Sequence, residues 1–441
     1  MGQVRWAGWM MALATLFVVT GGQAARADVA SDKPAAIVIY PKIVVSTSNG
    51  SDTVIRLTNT SKTDPIDVHC FYLDANSHCS GGLVPEGKIC SSSADCGGGF
   101  CLPGWQETDF DIRLTAGQPV QWKATDGMSE GTCIGGSNAG KVCMSGLDCP
   151  AGGECIGALP IGGGVCQRNP FITCGTDADC GPVPGGKCTQ SNAGTRVPPV
   201  PEDPFVGELK CIAVNDSGTP VARNELKGEG ILETSTISNL DVASYNAIGI
   251  QATGAAGSTI QGPDLTLGPG SSGEYNGCPN FLILNHFFDD ANDPVPGTDD
   301  VIGTDITLVP CSEDLLRQIP GAAVVQYIVF NEFEQRFSTS RSAACFQEIQ
   351  LCNLDTTQCK NSIFNVRVAG TLTGQTRLQP IGIPVDPRTG RTTLPSGLLG
   401  IAIERHGTQD TTGLVVDGRS AAFNLHMQGG ARSTPDVITI P

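Results

Sequence analysis

The feature that most constrains this chain is a four-cysteine spacing that occurs three times between residues 79 and 188. In each set the first gap is seven to ten residues, the second is always five, and the third is four to seven. The three sets are Cys79, Cys90, Cys96 and Cys101; Cys133, Cys143, Cys149 and Cys155; and Cys166, Cys174, Cys180 and Cys188. A spacing repeated along the chain indicates a repeated structural unit and not a catalytic motif.

Disulfides are the favoured role for these cysteines. Each set covers only about 22 residues with few apolar side chains, so it cannot bury a core and needs cross-links to hold one shape. Zinc is the alternative, because cysteine is a good ligand and His69 and His78 directly precede Cys70 and Cys79. Structural zinc sites favour short spacings such as C-x-x-C, which the chain lacks. The spacing does not determine which cysteines pair within a set. Because the total of 19 cysteines is odd, at least one cysteine either keeps a free thiol or forms a bridge to another chain.

The amino terminus predicts export. Residues 1–27 combine Arg5, an apolar run over residues 6–20 and the small-residue site Ala25-Arg26-Ala27, which is typical of a secretory signal peptide. Alternatively, the apolar run at residues 6–20 is not cleaved and stays in the membrane as an anchor, although it is short for a membrane span. No later apolar run is long enough to span, so we expect a product of the periplasm, the cell surface or the extracellular space, where disulfides persist.

The charge of the chain excludes two classes of partner. The formal net charge is −17, and removal of Arg5 and Arg26 with the signal makes it −19. Nucleic acid and anionic membrane surfaces are therefore not expected to bind it. Gly 56 and Pro 29 in a chain of 441 residues favour turn-rich β structure over helical bundles.

Short strands surround the cysteine sets. Residues 66–73 alternate apolar and polar side chains, residues 109–124 have the pattern of a β-hairpin, and residues 207–214 resume an apolar strand. We predict an all-β chain of two immunoglobulin-like β-sandwich domains, the first with disulfide-rich loop insertions. The predicted order is a signal peptide (1–27), a first sandwich (28–252) with insertions at 76–104 and 126–198, a Gly/Ser-rich linker (253–277) and a second sandwich (278–441).

Strand direction adds a geometric expectation. If the strands around the insertions are consecutive and antiparallel, both insertions emerge at one end of the first sandwich. Cys70 and Cys211 lie on the apolar faces of the strands that bracket the insertions, so we expect them to form a bridge in the sandwich core. In the second half, Ser312 as a cap, Arg317 in the last turn and Pro320 as a stop predict one short helix.

A trypsin-like protease is an alternative, because His69, Asp111 and Ser217 occur in the chain order of that catalytic triad. The sequence around Ser217 departs from the protease pattern, with Asn215 before Asp216-Ser217-Gly218 and Thr219 after it. This Asn-Asp-Ser-Gly run is also ordinary turn chemistry between two strands. We therefore expect turn residues and no catalytic residues here.

An acidic segment of the second half offers oxygen ligands for calcium. The candidates are Asp289, Asp290, Asn292, Asp293, Asp299 and Asp300. The register does not fit an EF-hand loop, and a solvated acidic loop is the favoured interpretation. We expect no resident cofactor, with calcium as the open alternative.

The runs Ser93-Ala94-Asp95-Cys96 and Asp177-Ala178-Asp179-Cys180 resemble four-cysteine modules of secreted and envelope proteins of Gram-negative bacteria. The resemblance implies export and brings no catalytic residue with it. We expect a non-enzymatic surface or envelope protein acting in adhesion, recognition or assembly through its disulfide-rich loops. Its partner would be a protein or glycan at the cell surface, or a second copy of the chain. A secreted hydrolase and a structural envelope or filament subunit are the alternatives.

Overall fold

A computed structural model gives the fold of the chain. It describes residues 29–441 apart from 86, 103, 105, 128–130, 140–141, 144–149, 157–163, 167–168, 175–187, 190–196, 236–239, 270–272, 296–298, 382–395 and 410–414. The predicted signal peptide at residues 1–27, Cys149 and Cys180 lie outside the described residues.

The described chain is all-β, as predicted, with thirty-one strands that form mainly antiparallel sheets. The strands of the first half are β1 (Ile37–Val45), β2 (Ser51–Asn59), β3 (Ile66–Asp74), β4 (His78–Ser80), β5 (Phe100–Leu102), β6 (Gln106–Leu114), β7 (Pro119–Lys123), β8 (Gly131–Ile134), β9 (Val142–Cys143), β10 (Glu154–Ile156), β11 (Gly164–Cys166), β12 (Asn169–Cys174), β13 (Cys188–Thr189), β14 (Phe205–Val214), β15 (Leu226–Ser235), β16 (Leu240–Asn246) and β17 (Ile248–Ile250). The remaining strands are β18 (Asp264–Gly268), β19 (Tyr275–Asn276), β20 (Pro279–Phe287), β21 (Ala291–Asn292), β22 (Val301–Pro310), β23 (Glu313–Asp314), β24 (Ala322–Asn331), β25 (Arg336–Ala344), β26 (Gln347–Gln350), β27 (Thr373–Ile381), β28 (Leu398–Gln409), β29 (Val415–Asn424), β30 (His426–Ala431) and β31 (Asp436–Thr439). Helical turns in the described residues are α1 (Val366–Ala369) and the 3-10 turns Ser93–Cys96, Leu351–Asn353 and Cys359–Asn361.

Five larger sheets build the body of the molecule. Sheet 1 has the order β17-β1-β14-β3-β6, and sheet 2 has the order β16-β15-β2-β7. Sheet 3 has the order β19-β18-β31-β23, sheet 4 has the order β25-β24-β27-β20-β30, and sheet 5 has the order β21-β22-β28-β29 with β26 paired to β22.

Sheets 1 and 2 pack face to face around aromatic side chains. The Trp122 Nε1–H on sheet 2 donates a hydrogen bond of 2.7 Å to the Tyr72 hydroxyl on sheet 1. The Tyr40 hydroxyl of sheet 1 donates to the Arg56 carbonyl of sheet 2 at 2.6 Å. These bonds give the buried polar groups of three aromatic side chains a partner, so the rings can fill the core without leaving polar groups unpaired.

Residues 109–124 do not form the predicted hairpin. Strand β6 pairs with β3 in sheet 1, whereas β7 pairs with β2 in sheet 2. The turn between them, where the Gln118 N–H donates to the Thr115 carbonyl at 3.1 Å, carries the chain from one sheet to the other. Phe110 and Trp122 therefore meet across the core, with ring centroids 6.4 Å apart. Alternation along the sequence places both side chains in a core but does not say whether their strands pair.

Sheets 4 and 5 enclose a second apolar core. Leu284 and Tyr327 of sheet 4 and Ile306, Leu308 and Ala402 of sheet 5 are among its buried members. Tyr327 donates its buried hydroxyl to Gln347 Oε1 at 3.1 Å. The opposite face of sheet 5 is also buried, so this sheet lies between two apolar layers and its strands are apolar on both faces.

The two halves of the chain share one core. Val309, Leu399 and Ile401 of sheet 5 belong to the same apolar cluster as Ile39 and Ile212 of sheet 1. At the sheet edges, Ser420 N–H in β29 donates to an Asp241 carboxylate oxygen in β16 at 3.0 Å. The halves are therefore packed against each other, and the free energy of unfolding of each depends on the other.

The segment predicted as a linker at 253–277 contributes strands to sheet 3. Leu265, Leu267 and Tyr275 within it are fully buried. Strand β18 pairs with β31 from the end of the chain, and β23 extends the same sheet. The described glycine and serine residues of the segment lie mainly in the turns between these strands. The few apolar residues between the turns are enough to anchor short strands to a core.

The helix expected after Ser312 is absent. Glu313 and Asp314 form β23, and a turn follows in which Asp314 accepts a hydrogen bond of 2.9 Å from the Arg317 N–H. The acidic residues and Arg317 stabilise that turn in place of a helix. The described α-helix is α1, where Asn365 caps the first turn by accepting from Arg367 N–H at 3.0 Å.

Candidate functional site

Both insertions leave sheets 1 and 2 at the same end, as expected. The strand β3 that precedes the first insertion ends beside the start of β14, where Asp74 is the register partner of Gly207. The second insertion begins after β7 and returns before β14, and the Val200 N–H donates to the Ala124 carbonyl at 2.9 Å. We call the first insertion, residues 76–104, module 1, and the paired strands of the second insertion module 2 (residues 131–156) and module 3 (residues 164–189).

Disulfides form the interior of module 1. Cys79 bonds to Cys96 and Cys90 to Cys101, so the first cysteine pairs with the third and the second with the fourth. Cys79, Cys90 and Cys96 are buried and form the module's own small cluster. In the 3-10 turn, Asp95 accepts hydrogen bonds from backbone N–H groups that lower the pKa of its carboxyl. The module therefore holds one shape with almost no apolar core.

Modules 2 and 3 repeat the backbone pairing of module 1. In module 1 the first cysteine, Cys79, lies opposite the fourth, Cys101. The first and fourth cysteines also lie opposite each other in module 2 and in module 3. In all three modules the residue before the first cysteine pairs with the residue before the second. In the described residues, the spacing repeat of the sequence is therefore matched by a repeat of strand pairing.

Module 1 exposes large apolar side chains to solvent. Ten such side chains are exposed in the described residues, and three of them, Leu83, Phe100 and Leu102, lie on this one module. Leu83 is 95% exposed and Phe100 is 70% exposed. Phe100 and Leu102 are two residues apart in strand β5, so they share a face. Exposed apolar area of this kind, held on a rigid frame, is suited to contact with a partner.

The stem of module 1 carries a cluster of one histidine and two carboxylates. His78 Nε2 lies 3.0 Å from Glu202 Oε2 and 3.7 Å from Asp74 Oδ2. Asp74 ends strand β3, His78 begins β4, and Glu202 lies just before β14, where the second insertion returns to sheet 1. The fold therefore brings together residues from both insertion stems that are 124 positions apart in sequence.

Asp74 is the most deeply placed of the three side chains. It has no exposed area, whereas the side chains of His78 and Glu202 are 17% and 22% exposed. Burial is the main cause that raises the pKa of Asp74 to about 8, and the neighbouring Glu202 carboxyl group contributes in the same direction, against the Asn76 N–H bond that lowers it. The cluster is thus closed at Asp74 and partly open to solvent at His78 and Glu202.

The trypsin-like alternative does not assemble. His69 Nε2 faces Asp109 at 3.3 Å and its Nδ1 faces Asp111 at 3.8 Å, so both ring nitrogens face carboxylates. The Ser217 hydroxyl instead donates to Asn215 Oδ1 at 2.8 Å inside its own turn. A general base needs one nitrogen directed at the nucleophile. Ser217 is therefore a turn residue, and His69 and Asp111 are strand residues, as expected in the absence of a protease site.

The calcium candidates are already engaged by protein groups. Asp289 is fully buried and accepts from the Thr304 N–H at 2.9 Å and from the Cys352 N–H at 2.9 Å. Burial raises its pKa to about 8. Asp293 lies 3.1 Å from both His406 Nδ1 and an Arg419 nitrogen, and a guanidinium beside a carboxylate opposes cation binding.

The other calcium candidates do not converge with these two. Asp290 accepts from the Asn365 and Gln409 side-chain amides. Asn292 lies in β21 with an exposed side chain, and Asp299 is exposed. Asp300 uses its backbone carbonyl to accept from the Asp293 N–H at 2.9 Å. The acidic segment thus has structural contacts in place of a shared ion site.

The remaining cysteines complete the pattern of cross-links. Cys70 and Cys211 form the bridge that the strand alternation singled out, between β3 and β14. Two further bridges, Cys278–Cys311 and Cys352–Cys359, lie in the second half. Cys345 is buried and donates its thiol hydrogen to the Gly104 carbonyl at 3.0 Å, which joins the second half to the stem of module 1. In modules 2 and 3 the structure describes the backbone of six cysteines.

Sequence reasoning missed two members of the stem cluster. His78 drew notice only because it precedes Cys79, whereas Asp74 and Glu202 carried no signal of their own. The signal that would have found them is positional: Asp74 ends one bracketing strand and Glu202 precedes the next, so the predicted common end of the insertions places them together.

Comparisons with known proteins do not assign this chain to a family. No family model matches the chain, and no curated protein is similar enough to count as a match. In the described residues, none of the helices has the length and apolar character needed to cross a membrane.

Proposed function

We propose that this is an exported, non-enzymatic surface or envelope protein that recognises a protein partner through its disulfide-rich modules. The observation that carries the proposal is the exposure of Leu83, Phe100 and Leu102 on module 1. The disulfides support export, because such bonds persist in oxidising compartments. The resemblance of the repeats to those of Gram-negative envelope proteins points the same way.

The module suits recognition because its shape is fixed before a partner arrives. Two disulfides and the 3-10 turn hold the loop that carries the exposed side chains. Preorganisation lowers the conformational entropy lost on binding. Burial of one Leu or Phe side chain contributes about 1.5–3 kcal/mol, so two or three anchors of this kind support a specific contact.

The immunoglobulin-like class of the two sheet pairs belongs to the same proposal. Face-to-face packing of sheet 1 on sheet 2 and of sheet 4 on sheet 5 supports it. Sandwiches of this class commonly present loops at one end as a binding surface, which is where the modules lie here.

The test is affinity capture from a cell-surface extract of the producing organism with the exported chain as bait. The double variant Leu83→Ser and Phe100→Ser is compared with Phe333→Ser, which removes a side chain of the same 70% exposure from the second half. We expect the double variant to lose at least about tenfold in captured partner, since each 1.4 kcal/mol is tenfold in affinity. Equal capture by the wild type, the double variant and a chain lacking residues 76–104 and 126–198 would refute the proposal.

A further inference from the structure

We propose that Asp74, His78 and Glu202 form a binding site for a first-row divalent transition-metal ion, with Zn²⁺ as the probe. The site lies at the junction of the two insertion stems with the sandwich. It goes beyond the recognition function and does not depend on it. The inference rests on the donor set, on the way its atoms converge and on a buried carboxylate oxygen that accepts no hydrogen bond.

The donor atoms are spaced as in a metal site. One atom from each of the three residues lies within 4.8 Å of the others. His78 Nε2 is 3.0 Å from Glu202 Oε2 and 3.7 Å from Asp74 Oδ2. Bonds of about 2.1 Å from zinc to nitrogen and oxygen place tetrahedral ligands about 3.4 Å apart. The observed separations lie on either side of that value, so small side-chain shifts would complete the site.

Asn76 orients both carboxylates toward the histidine. Its backbone N–H donates to Asp74 Oδ1 at 2.8 Å. Its side-chain Nδ2 donates to Glu202 Oε1 at 2.6 Å and to the Pro204 carbonyl at 2.8 Å. The outer oxygen of each carboxylate is therefore held, and the inner oxygens, Asp74 Oδ2 and Glu202 Oε2, face His78 Nε2. Outer-shell partners with this arrangement fix ligands in known metal sites.

The buried oxygen of Asp74 is the independent observation. The Asp74 side chain has no exposed area, so its Oδ2 atom cannot reach solvent. This oxygen also accepts no hydrogen bond from the protein. Polar groups that are buried in this way carry a desolvation cost unless they find a partner. The oxygen points into the space shared with His78 and Glu202, where a cation would be its partner.

Among the side chains that the structure describes, the other histidines and cysteines do not offer an equivalent set. The carboxylates around His69 face opposite ring nitrogens, and those around His406 do so as well, with Arg419 beside them. At His78 both carboxylates face the same nitrogen, which is the arrangement that one ion requires. The three other groups of potential ligands in the described residues contain disulfide-bonded cysteines, whose sulfur atoms are not available as thiolates.

Such an ion would join the stems of the two insertions. His78 belongs to the stem of the first insertion, Glu202 to the returning stem of the second, and Asp74 to the end of β3. The disulfides of module 1 lie within residues 79–101 and do not connect it to the sandwich. A mixed nitrogen and oxygen donor set fits zinc and similar ions better than calcium, which takes oxygen ligands.

The experiment measures Zn²⁺ binding by the exported chain, produced with its disulfides intact, without a histidine tag and after treatment with a chelator. Equilibrium dialysis should give a specific site at one ion per chain. His78→Gln and Glu202→Gln should each weaken it at least about 100-fold, and Asn76→Ala about 10- to 100-fold. His69→Gln removes the comparable histidine between carboxylates and should leave the affinity unchanged.

X-ray absorption at the zinc edge of the wild-type protein gives a readout that does not depend on any variant. We expect nitrogen and oxygen ligands with one imidazole and no sulfur. A sulfur-containing shell, or binding that is equal in the wild type and in a folded His78→Gln variant, would overturn the assignment. Absence of specific Zn²⁺ binding by the wild type would overturn it as well.

Discussion

Replacing Lys210 with methionine tests how the two halves of the chain are joined. Lys210 lies in β14 and is fully buried, with its ammonium 3.0 Å from Glu208 Oε1. It also contacts Glu313 of β23, in the second half, whose side chain is fully buried too. One cation therefore faces two buried carboxylates, one in its own strand and one across the interface, and its removal would leave both of them without a counter-charge.

The expected cost is large. Two unit charges 3.0 Å apart attract by about 5.5 kcal/mol at an effective dielectric constant of about 20. Desolvation of the lysine, which Lys210→Met abolishes, offsets part of this loss. Removal of one member of a buried ion pair typically costs about 3–5 kcal/mol in the free energy of unfolding, and we expect Lys210→Met to fall in that range.

Urea unfolding at neutral pH, followed by intrinsic fluorescence, measures the change. The control is Lys123→Met, because Lys123 lies 2.9 Å from Glu233 Oε2 but is 49% exposed. An exposed pair of the same length should cost less than about 1 kcal/mol. Combining Lys210→Met with Glu208→Gln and Glu313→Gln removes all the charges and should recover much of the loss. Equal changes for Lys210→Met and Lys123→Met would refute the argument.

The pH dependence provides a second check of the same variant. Burial raises the pKa of Glu208, and Lys210 lowers it. Without Lys210 the pKa of Glu208 in the folded state rises further above its value in the unfolded chain. A raised folded pKa gives stability that is present at acidic pH and is lost as the pH rises through that pKa. The penalty of Lys210→Met should therefore shrink as the pH falls toward 5, and a penalty independent of pH would contradict this reasoning.

Two further predictions concern the modules and a buried histidine. Because the three modules share their backbone pairing, we expect the first cysteine to bond to the third and the second to the fourth in modules 2 and 3, and mass-spectrometric mapping of the unreduced chain that finds another order would contradict this. Burial lowers the pKa of His286 to about 4, and its neutral ring nitrogens contact the Phe287 carbonyl and the Thr376 hydroxyl at 2.8 Å. The free energy of unfolding should therefore fall by up to about 3 kcal/mol as the pH falls from 6.5 to 4, and His286→Gln should remove most of that slope in urea titrations.

The alternation of apolar and polar residues along single strands predicts reliably which side chains face the core. The face shared by Ile66, Val68, Cys70 and Tyr72 is the core face of β3, and the same rule placed Cys70 opposite Cys211. Alternation fixes which side chains point inward because successive side chains alternate between the two faces of a strand. It also located the strands around the insertions well enough to predict their common end.

Pairing between strands was less predictable. The sequence at 109–124 fits a hairpin or a crossing between sheets equally well, because both place Phe110 and Trp122 inward. The composition of 253–277 predicts a linker because glycine and serine outnumber its apolar residues, yet Leu265 and Leu267 suffice to hold a strand in sheet 3. Long-range pairing depends on contacts that composition does not record.

In the candidate site, too, the sequence predicts local features and not long-range ones. Local spacing predicted the cysteine modules, but the disulfides of module 1 fix its internal shape and not its orientation on sheets 1 and 2. The orientation depends on the stems, where Gly104 packs so closely on the Asn76 backbone that a side chain there would overlap the Asn76 carbonyl. The Cys345 thiol and the His78 cluster contact the same stems. The proposed recognition through Phe100 and the proposed metal site of the stem cluster should therefore respond to different substitutions.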